Sequence, residues 1–430
     1  MTPAKDLSPH AQPGVYLTDD LPGIGGLLKQ RDDDFLVEEI PAYQPCGQGE
    51  HIYLFVQKKG LSTQNMVQML ARHFRVPISA VGYAGLKDRH AITRQVVSIH
   101  APGKVPEDFP SIKDDRIAVL WSDLHSNKLR RGHLLGNRFS IRVRGVALRA
   151  IFDAKKTLAR LEALGVPNRV GPQRFGLLGN NHLVGRALLL GQHQEALDLI
   201  LGPAEVPGLS EANTHARAAY AVGDFAAARE ATPRTMLTEQ RLLRALAQGR
   251  SPKQACARID PLALGFYISA TQSAIFNRIL DGRLSAGTLA QLLPGDLAYK
   301  HDNGAVFPIT DAELADPDVA RRLAKGEIAP SGPIWGPAMP RAALGIDQAE
   351  LAALATLDLT PERIDLPMRT ADAPGKRRPL RVPITHTDLE AGGDEHGLYI
   401  RLAFDLPPGA YATVVMQEIM KTNPQLDEHT

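Results

Sequence analysis

Cysteine is nearly absent: Cys46 and Cys256 are the only two in 430 residues. They stand far apart, without a partner at redox or zinc spacing, which excludes a disulfide framework and a zinc motif and leaves two plain thiols. Long hydrophobic runs are missing as well. No stretch approaches the roughly 20 uninterrupted apolar residues that a bilayer-crossing helix needs. The opening run MTPAKDLSPHAQPG has no apolar core of the kind a secretory leader carries, so a cytoplasmic protein without membrane association is expected. Cofactor signatures are equally lacking. GIGG at 23–26 does not sit between a strand and a helix with the spacing of a dinucleotide loop, there is no Walker sequence, and there is no G-x-S-x-G elbow. The histidines are scattered, and neither a cofactor nor a metal is expected.

What is present suits two domains, since the chain is long for a single core and 44% of its residues are hydrophobic. The net charge is only +2, but it is unevenly spread: between Trp121 and Gly176 there are twelve Lys/Arg and three Asp/Glu. Such a local excess suits a polyanion.

The first third reads as strands and one helix. DFLVEEI (34–40) and HIYLFVQKK (51–59) are β-rich runs on either side of a Pro/Gly-containing loop. From the N-cap Ser62, STQNMVQMLARHF spaces Met66, Met69, Leu70 and Phe74 as a helix that stops before Pro77. RQVVSI (94–99) is a further strand. NRFSIRVRG (137–145) alternates, with Phe139, Ile141 and Val143 on one face for packing and Arg138, Ser140, Arg142 and Arg144 on the other to attract anions. Beyond residue 176 the texture turns to Ala/Leu/Arg-rich helices, read as stacked pairs up to about 285. LPGDLAYKHDNGAVFPITDAEL (293–314) reads as strands and turns, and TADAPGKRRPL (370–380) as a linker. GLYIRLAFDLPPG then returns to strand alternation, and YATVVMQEIMK to helix. A strand tail after a helical middle describes one domain interrupted by another.

The densest chemistry lies in GYAGLKDRHAITRQ (82–95), where Lys87, Asp88, Arg89 and His90 follow one another at a strand end. Alone this is an ordinary solvated hairpin tip. Together with GLLK and DFLVEEIPAYQPCGQGEHIYL before it, and KLRRGHLLGNRF, GPQRFG and LPPGAYATVVMQEI after it, it resembles the tRNA pseudouridine synthase D (TruD) family. These segments run in order over nearly the whole chain.

The resemblance implies an α+β fold: a catalytic domain with a mixed β-sheet, interrupted by a largely helical α/β insertion. The expected boundaries are 1–167 and 368–430 for the catalytic parts and 168–367 for the insertion. It implies isomerisation of a uridine in tRNA, typically uridine 13, to pseudouridine. Asp88 falls on the family's catalytic aspartate, Lys29 and Phe35 on an active-site lysine and a nearby aromatic, and Asn137 and Phe139 on residues flanking the target base. Three features depart from the family's pattern: NRVGPQRFG lacks an aromatic pair before QRFG, Gln417 replaces a usual basic residue, and the stretch 187–260 is longer than in compact bacterial members.

The isomerisation needs no redox change, hence no cofactor. Asp88 is expected to act as a carboxylate, by attack on sugar or base or by removing a ribose proton, with Lys29 as its cation. Lys87 and Arg89 are placed nearer to phosphate, because neighbours on an extended segment point to opposite sides. Lys128, Arg130 and Arg131, in a turn beside the basic strand face, are expected to meet tRNA phosphates. Two other readings stay open: an RNA-binding module without activity, and a carboxylate-based nucleoside hydrolase, which would need a second acid. No protein partner is indicated, and a monomer is expected.

Overall fold

A computed structural model of the chain describes residues 15–203 and 209–422. The opening run read above for a leader lies outside the described residues. Two compact units are present. One takes the described residues of Thr18–Val166 and Val382–Thr430, the other those of Met1–Leu17 and Pro167–Arg381.

The first unit is built on an eight-stranded mixed sheet. Its early elements are β1 (Phe35–Pro41), β2 (His51–Lys59), α1 (Thr63–His73), β3 (Val81–Tyr83), β4 (Ile92–His100), β5 (Ile117–His125) and β6 (Leu134–Arg144), and two late strands, Thr385–Asp394 and Gly397–Leu406, complete it. The order is Thr385–Asp394, Gly397–Leu406, β6, β1, β4, β2, β5, with β3 paired to β4. β1 and β4 run parallel. Helix α1 starts where the Ser62 hydroxyl accepts from the Asn65 N–H, satisfying one of the orphan donors of a helix start. Its buried stripe, Met66, Val67 and Leu70, packs on Ile52, Leu54, Val56, Val97 and Ile99 of the sheet. Each such side chain contributes roughly 1.5–3 kcal/mol relative to exposure. The helix ends at His73, and Arg75 beyond it turns left-handed at φ 55°.

Cross-strand pairing sets up the site. Phe404 faces Phe139, Phe139 faces Val37, Val37 faces Thr93 and Thr93 faces Lys58, one unbroken row across five strands. The next row runs Leu406, Asn137, Glu39. Residues directly opposite share a face, so apolar packing and two charged side chains stand on one side of the sheet.

In the second unit the helices Asn181–Leu189, His193–Leu201, Glu211–Ala221, Phe225–Ala231, Leu237–Ala247 and Pro252–Cys256 surround a core that includes Leu197, Ile200, Leu242 and Leu243. The long helix Pro261–Ser285 follows, capped by the Asp260 carboxylate on the Leu262 N–H. A four-stranded sheet is ordered Lys376–Pro379, Ile328–Ile334, Leu297–Lys300, Val306–Pro308.

The segment 370–380, expected as a linker, is therefore in part a strand, paired with Ile328–Ile334. Its glycine and prolines mark a tight approach rather than a free tether. Gly375 sits at φ 79°, and a Cβ there would come within 2.5 Å of the Gly336 nitrogen. Next to it Arg377 is buried, its guanidinium 2.7 and 2.9 Å from the Glu350 carboxylate oxygens. Removing one partner of such a pair strands a buried charge. Arg377→Met should therefore lower stability by about 3–5 kcal/mol, read as the urea midpoint, and adding Glu350→Leu should recover most of the loss. Equal midpoints for the single and double variants would contradict this.

Candidate active site

The loop 84–91 joins β3 to β4 and is pinned at four points. The Lys87 N–H donates to Thr63 Oγ1 at 2.9 Å, Gln95 Nε2 to the Gly85 carbonyl at 3.3 Å, and the Gly132 N–H to the Ala84 carbonyl at 2.9 Å. The fourth contact comes from Lys58, whose buried ammonium donates to the Asp88 carbonyl at 2.7 Å. A loop tied to the sheet in this way holds its side chains at low conformational entropy.

Asp88 and Lys29 form the exposed end. Lys29 Nζ lies 2.9 Å from Asp88 Oδ2, with the side chains 18% and 41% exposed. Lys29 holds φ 52°, left-handed and unusual for a residue with a Cβ. Its ammonium also lies 4.4 Å from the centre of the Phe35 ring. Phe35 meets Phe139 edge-on at 6.4 Å, and Phe139 packs on Phe404 at 5.5 Å.

Behind these stands a buried polar tier. Lys87 Nζ donates to Asn137 Oδ1 at 2.6 Å and lies 3.0 Å from Glu39 Oε2, with the Lys87 and Glu39 side chains 5% and 0% exposed. Burial raises the Glu39 pKa, and Lys87 opposes that rise. Contacts run from Asp88 through Lys29 and Phe35 to Phe139 and from Lys87 to Asn137; Asn137 and Phe139 stand two residues apart on one face of β6, and Lys87 adjoins Asp88 in the chain, which completes a circuit. Asp88, Lys29, Phe35, Asn137 and Phe139, the five residues that the resemblance singles out, thus lie in one neighbourhood.

Other placements differ from expectation. Lys87 does not face outward toward phosphate: its ammonium turns into the sheet, onto Asn137 and Glu39, while Arg89 is exposed. The arginine face of β6 is not a free anion surface either. Arg138 binds Asp405 at 2.9 and 3.0 Å, Arg142 reaches Asp394 at 3.3 Å, and Arg144 lies between Asp34 at 2.7 Å and Asp394 at 2.8 Å. Arg144 beside it holds the Asp394 carboxyl well below the usual carboxylate range. By alternation these arginines point away from the face that carries Asn137 and Phe139. Lys128 donates to the Ser79 carbonyl, Arg131 to the Tyr83 hydroxyl at 3.2 Å, and Arg130 is exposed. Their turn packs against β3 and the base of the loop rather than on the circuit. Phe139 is 7% exposed, a wall of the site more than an open face.

Glu39 and Lys58 were missed. Strand parity could have found both: Glu39 follows Phe35 and Val37 on the inward face of β1, and Lys58 follows Ile52, Leu54 and Val56 on that of β2. A charge in an inward position must be paired.

Chemically, the circuit offers one half-exposed carboxylate, adjacent cations and an amide. A second acid able to reach substrate is not part of it, because Glu39 is enclosed. Among the described residues no group of three or more His, Cys, Asp or Glu is placed to hold a metal ion, and no helix is long and apolar enough to cross a membrane.

Comparison with known proteins gives a consistent result. The family model for tRNA pseudouridine synthase D (TruD) matches residues 14–419. The chain is 42% identical over 410 residues to tRNA pseudouridine synthase D of Geobacter metallireducens, covering 94% of this chain and 97% of that protein. It is 42% identical over 408 residues to the same enzyme of Syntrophotalea carbinolica, covering 95% and 99%. Among solved structures, the putative tRNA pseudouridine synthase D from Methanosarcina mazei superposes with a TM-score of 0.80 at 27% identity, covering 95% of this chain and 96% of that one.

Lys58 gives the site a pH signature. Burial lowers its pKa from 10.5 to about 8, with the charge of Asp88 opposing. A folded-state value below the unfolded one means that charged Lys58 costs the fold free energy below pH about 8, a cost relieved as pH rises toward 10.5. The stability of the protein relative to Lys58→Met should therefore increase across that window. Urea midpoints whose difference stays flat with pH would contradict the burial argument.

Proposed function

The chain belongs to the tRNA pseudouridine synthase D (TruD) family, and from that premise we propose that it converts a uridine of tRNA, at position 13, to pseudouridine with Asp88 as the catalytic carboxylate. The observation that carries this reading is the Lys29–Asp88 pair, presented at the half-exposed end of a loop that Lys58 and Thr63 pin from behind. The unit holding this circuit is the catalytic domain and the other the insertion, expected to end at 367, whereas the compact unit runs on to Arg381. The enzyme acts in the cytoplasm as a monomer.

The reaction breaks the N1–C1′ bond, turns the uracil in place and forms C5–C1′, after which the C5 proton is lost and N1 gains one. Atoms and electrons balance without an external reagent. The target nucleotide leaves its stack at a cost of a few kcal/mol, offset by contacts to phosphate. Asp88 supplies the carboxylate that the step requires, next to the ammonium of Lys29. Phe35 and Phe139 border the base, and Asn137 meets its edge. A nucleoside hydrolase is disfavoured, because the second carboxylate of the site, Glu39, is enclosed and occupied by Lys87. An inactive RNA-binding module would have no use for Asp88 held beside Lys29 in this way.

The direct test is sequencing-based mapping of pseudouridine in unmodified tRNA incubated with the protein. Conversion at position 13 is expected. Conversion elsewhere would remove the positional claim, and free uracil in place of pseudouridine would support the hydrolase.

The turn bearing Lys128, Arg130 and Arg131 is anchored to the base of the Asp88 loop, so its outward charge stands near the entering strand. Replacing all three by Ala should reduce the slope of log affinity against log salt by about 2–3. An unchanged slope in filter binding would place these side chains away from RNA.

A further inference from the structure

We propose that Lys87 and Glu39 fix the amide of Asn137 one way round, with its NH2 directed into the site, so that a single donor serves both carbonyls of uracil in turn as the base rotates. This rests on the function proposed above.

The orientation of an Asn amide is ordinarily assigned from its partners. Here the partner decides it. A lysine ammonium has donors and no acceptor, so the amide atom 2.6 Å from Lys87 Nζ is the oxygen. Lys87 cannot swing away: its backbone N–H is tied to Thr63, its ammonium lies 3.0 Å from Glu39, and its side chain is 5% exposed. Asn137 is itself fixed in mid-strand, between Glu39 on β1 and Leu406 on the late strand. With Oδ1 taken, Nδ2 is the group left over, and it makes no hydrogen bond to another described residue. Asn137 is only partly buried, two residues from Phe139 on the same face.

The base geometry supplies the consequence. Turning uracil about the line through C6 and N3 exchanges N1 with C5, and by the same motion exchanges C2 with C4. The edge that presented O2 then presents O4, or the reverse. Uracil offers an acceptor there in both orientations. Cytosine offers a carbonyl in one and an amino group in the other, where it would meet the Asn137 NH2 donor to donor. A fixed donor is thus compatible with rotation of uracil and not of cytosine. Lys87 and Glu39 are positioning residues in this scheme, and they act through Asn137.

The experiment measures kcat and KM for pseudouridine formation by nucleoside mass spectrometry. The substrates are tRNAs carrying uridine, 2-thiouridine or 4-thiouridine at the converted position, with tRNA affinity measured in parallel. Sulfur is a weak acceptor, so each thio substitution should slow the wild type about tenfold. Any intrinsic effect of sulfur is common to all variants and cancels between them. In Asn137→Ala both penalties should be smaller than in the wild type, leaving only the intrinsic effect of sulfur. Asn137→Asp keeps an oxygen on Lys87 but turns an acceptor into the site, so its kcat for uridine should fall below that of Asn137→Ala, with tRNA affinity unchanged. The charge-neutral double variant Glu39→Gln/Lys87→Met should lower kcat toward the Asn137→Ala level.

An Asn137→Asp enzyme faster than Asn137→Ala would mean that the amide faces the other way and would overturn the proposal. Thio penalties as large in Asn137→Ala as in the wild type would do the same, and this comparison holds even if Asn137→Asp fails to fold. Wild-type kcat in the double variant would remove the role given to Lys87 and Glu39. A wild-type protein that forms no pseudouridine in any tRNA would instead sink the parent reading.

Discussion

Two ammonium groups converge on Asp88, and a third leaves the residue before it for the sheet. Lys29 takes the Asp88 carboxylate, Lys58 its carbonyl, and Lys87 turns back onto Glu39 and Asn137. Ammonium groups removed from water are costly unless paired and hydrogen-bonded, so the backbone around Asp88 has little freedom to move while the cations keep their partners. The lowered pKa of Lys58 is the mark of its burial, which the charge of Asp88 only partly offsets.

The sheet makes this arrangement possible. Phe139 is held between Phe35 from β1 and Phe404 from a strand more than two hundred residues later. That late strand also delivers Asp405 to Arg138, and its hairpin partner delivers Asp394 to Arg142 and Arg144. One face of β6 builds the site, and the other fastens the tail of the chain to its beginning. The arginines of β6 look like an RNA surface in sequence because their acidic partners, Asp34, Asp394 and Asp405, lie more than a hundred residues away along the chain.

Much of the fold was legible. Ser62 starts a helix, the β-rich runs of β1 and β2 and the alternation of β6 and Gly397–Leu406 mark strands, and the resemblance at KDRHA draws attention to Asp88. The residues named with it, Lys29, Phe35, Asn137 and Phe139, meet in space. Their supports were not legible in the same way. The turn of Lys87 into the sheet depends on Asn137 and Glu39, partners that are distant in sequence, and the strand hidden in APGKRRPL depends on the partner strand Ile328–Ile334. Glu39 and Lys58 are a different case, since their inward parity was available and only their charge made them look like surface.

The central claim is that Asp88 does the chemistry while other groups hold the RNA. The measurement is tritium release from tRNA labelled at uracil C5, paired with filter binding of the same Asp88→Asn preparation. Asparagine keeps the size of the side chain and removes its charge, nucleophilicity and basicity. Turnover at the detection limit with tRNA affinity intact is the result this account requires. Turnover retained by Asp88→Asn would take Asp88 out of the mechanism, and turnover lost together with binding would return the loop to a structural role.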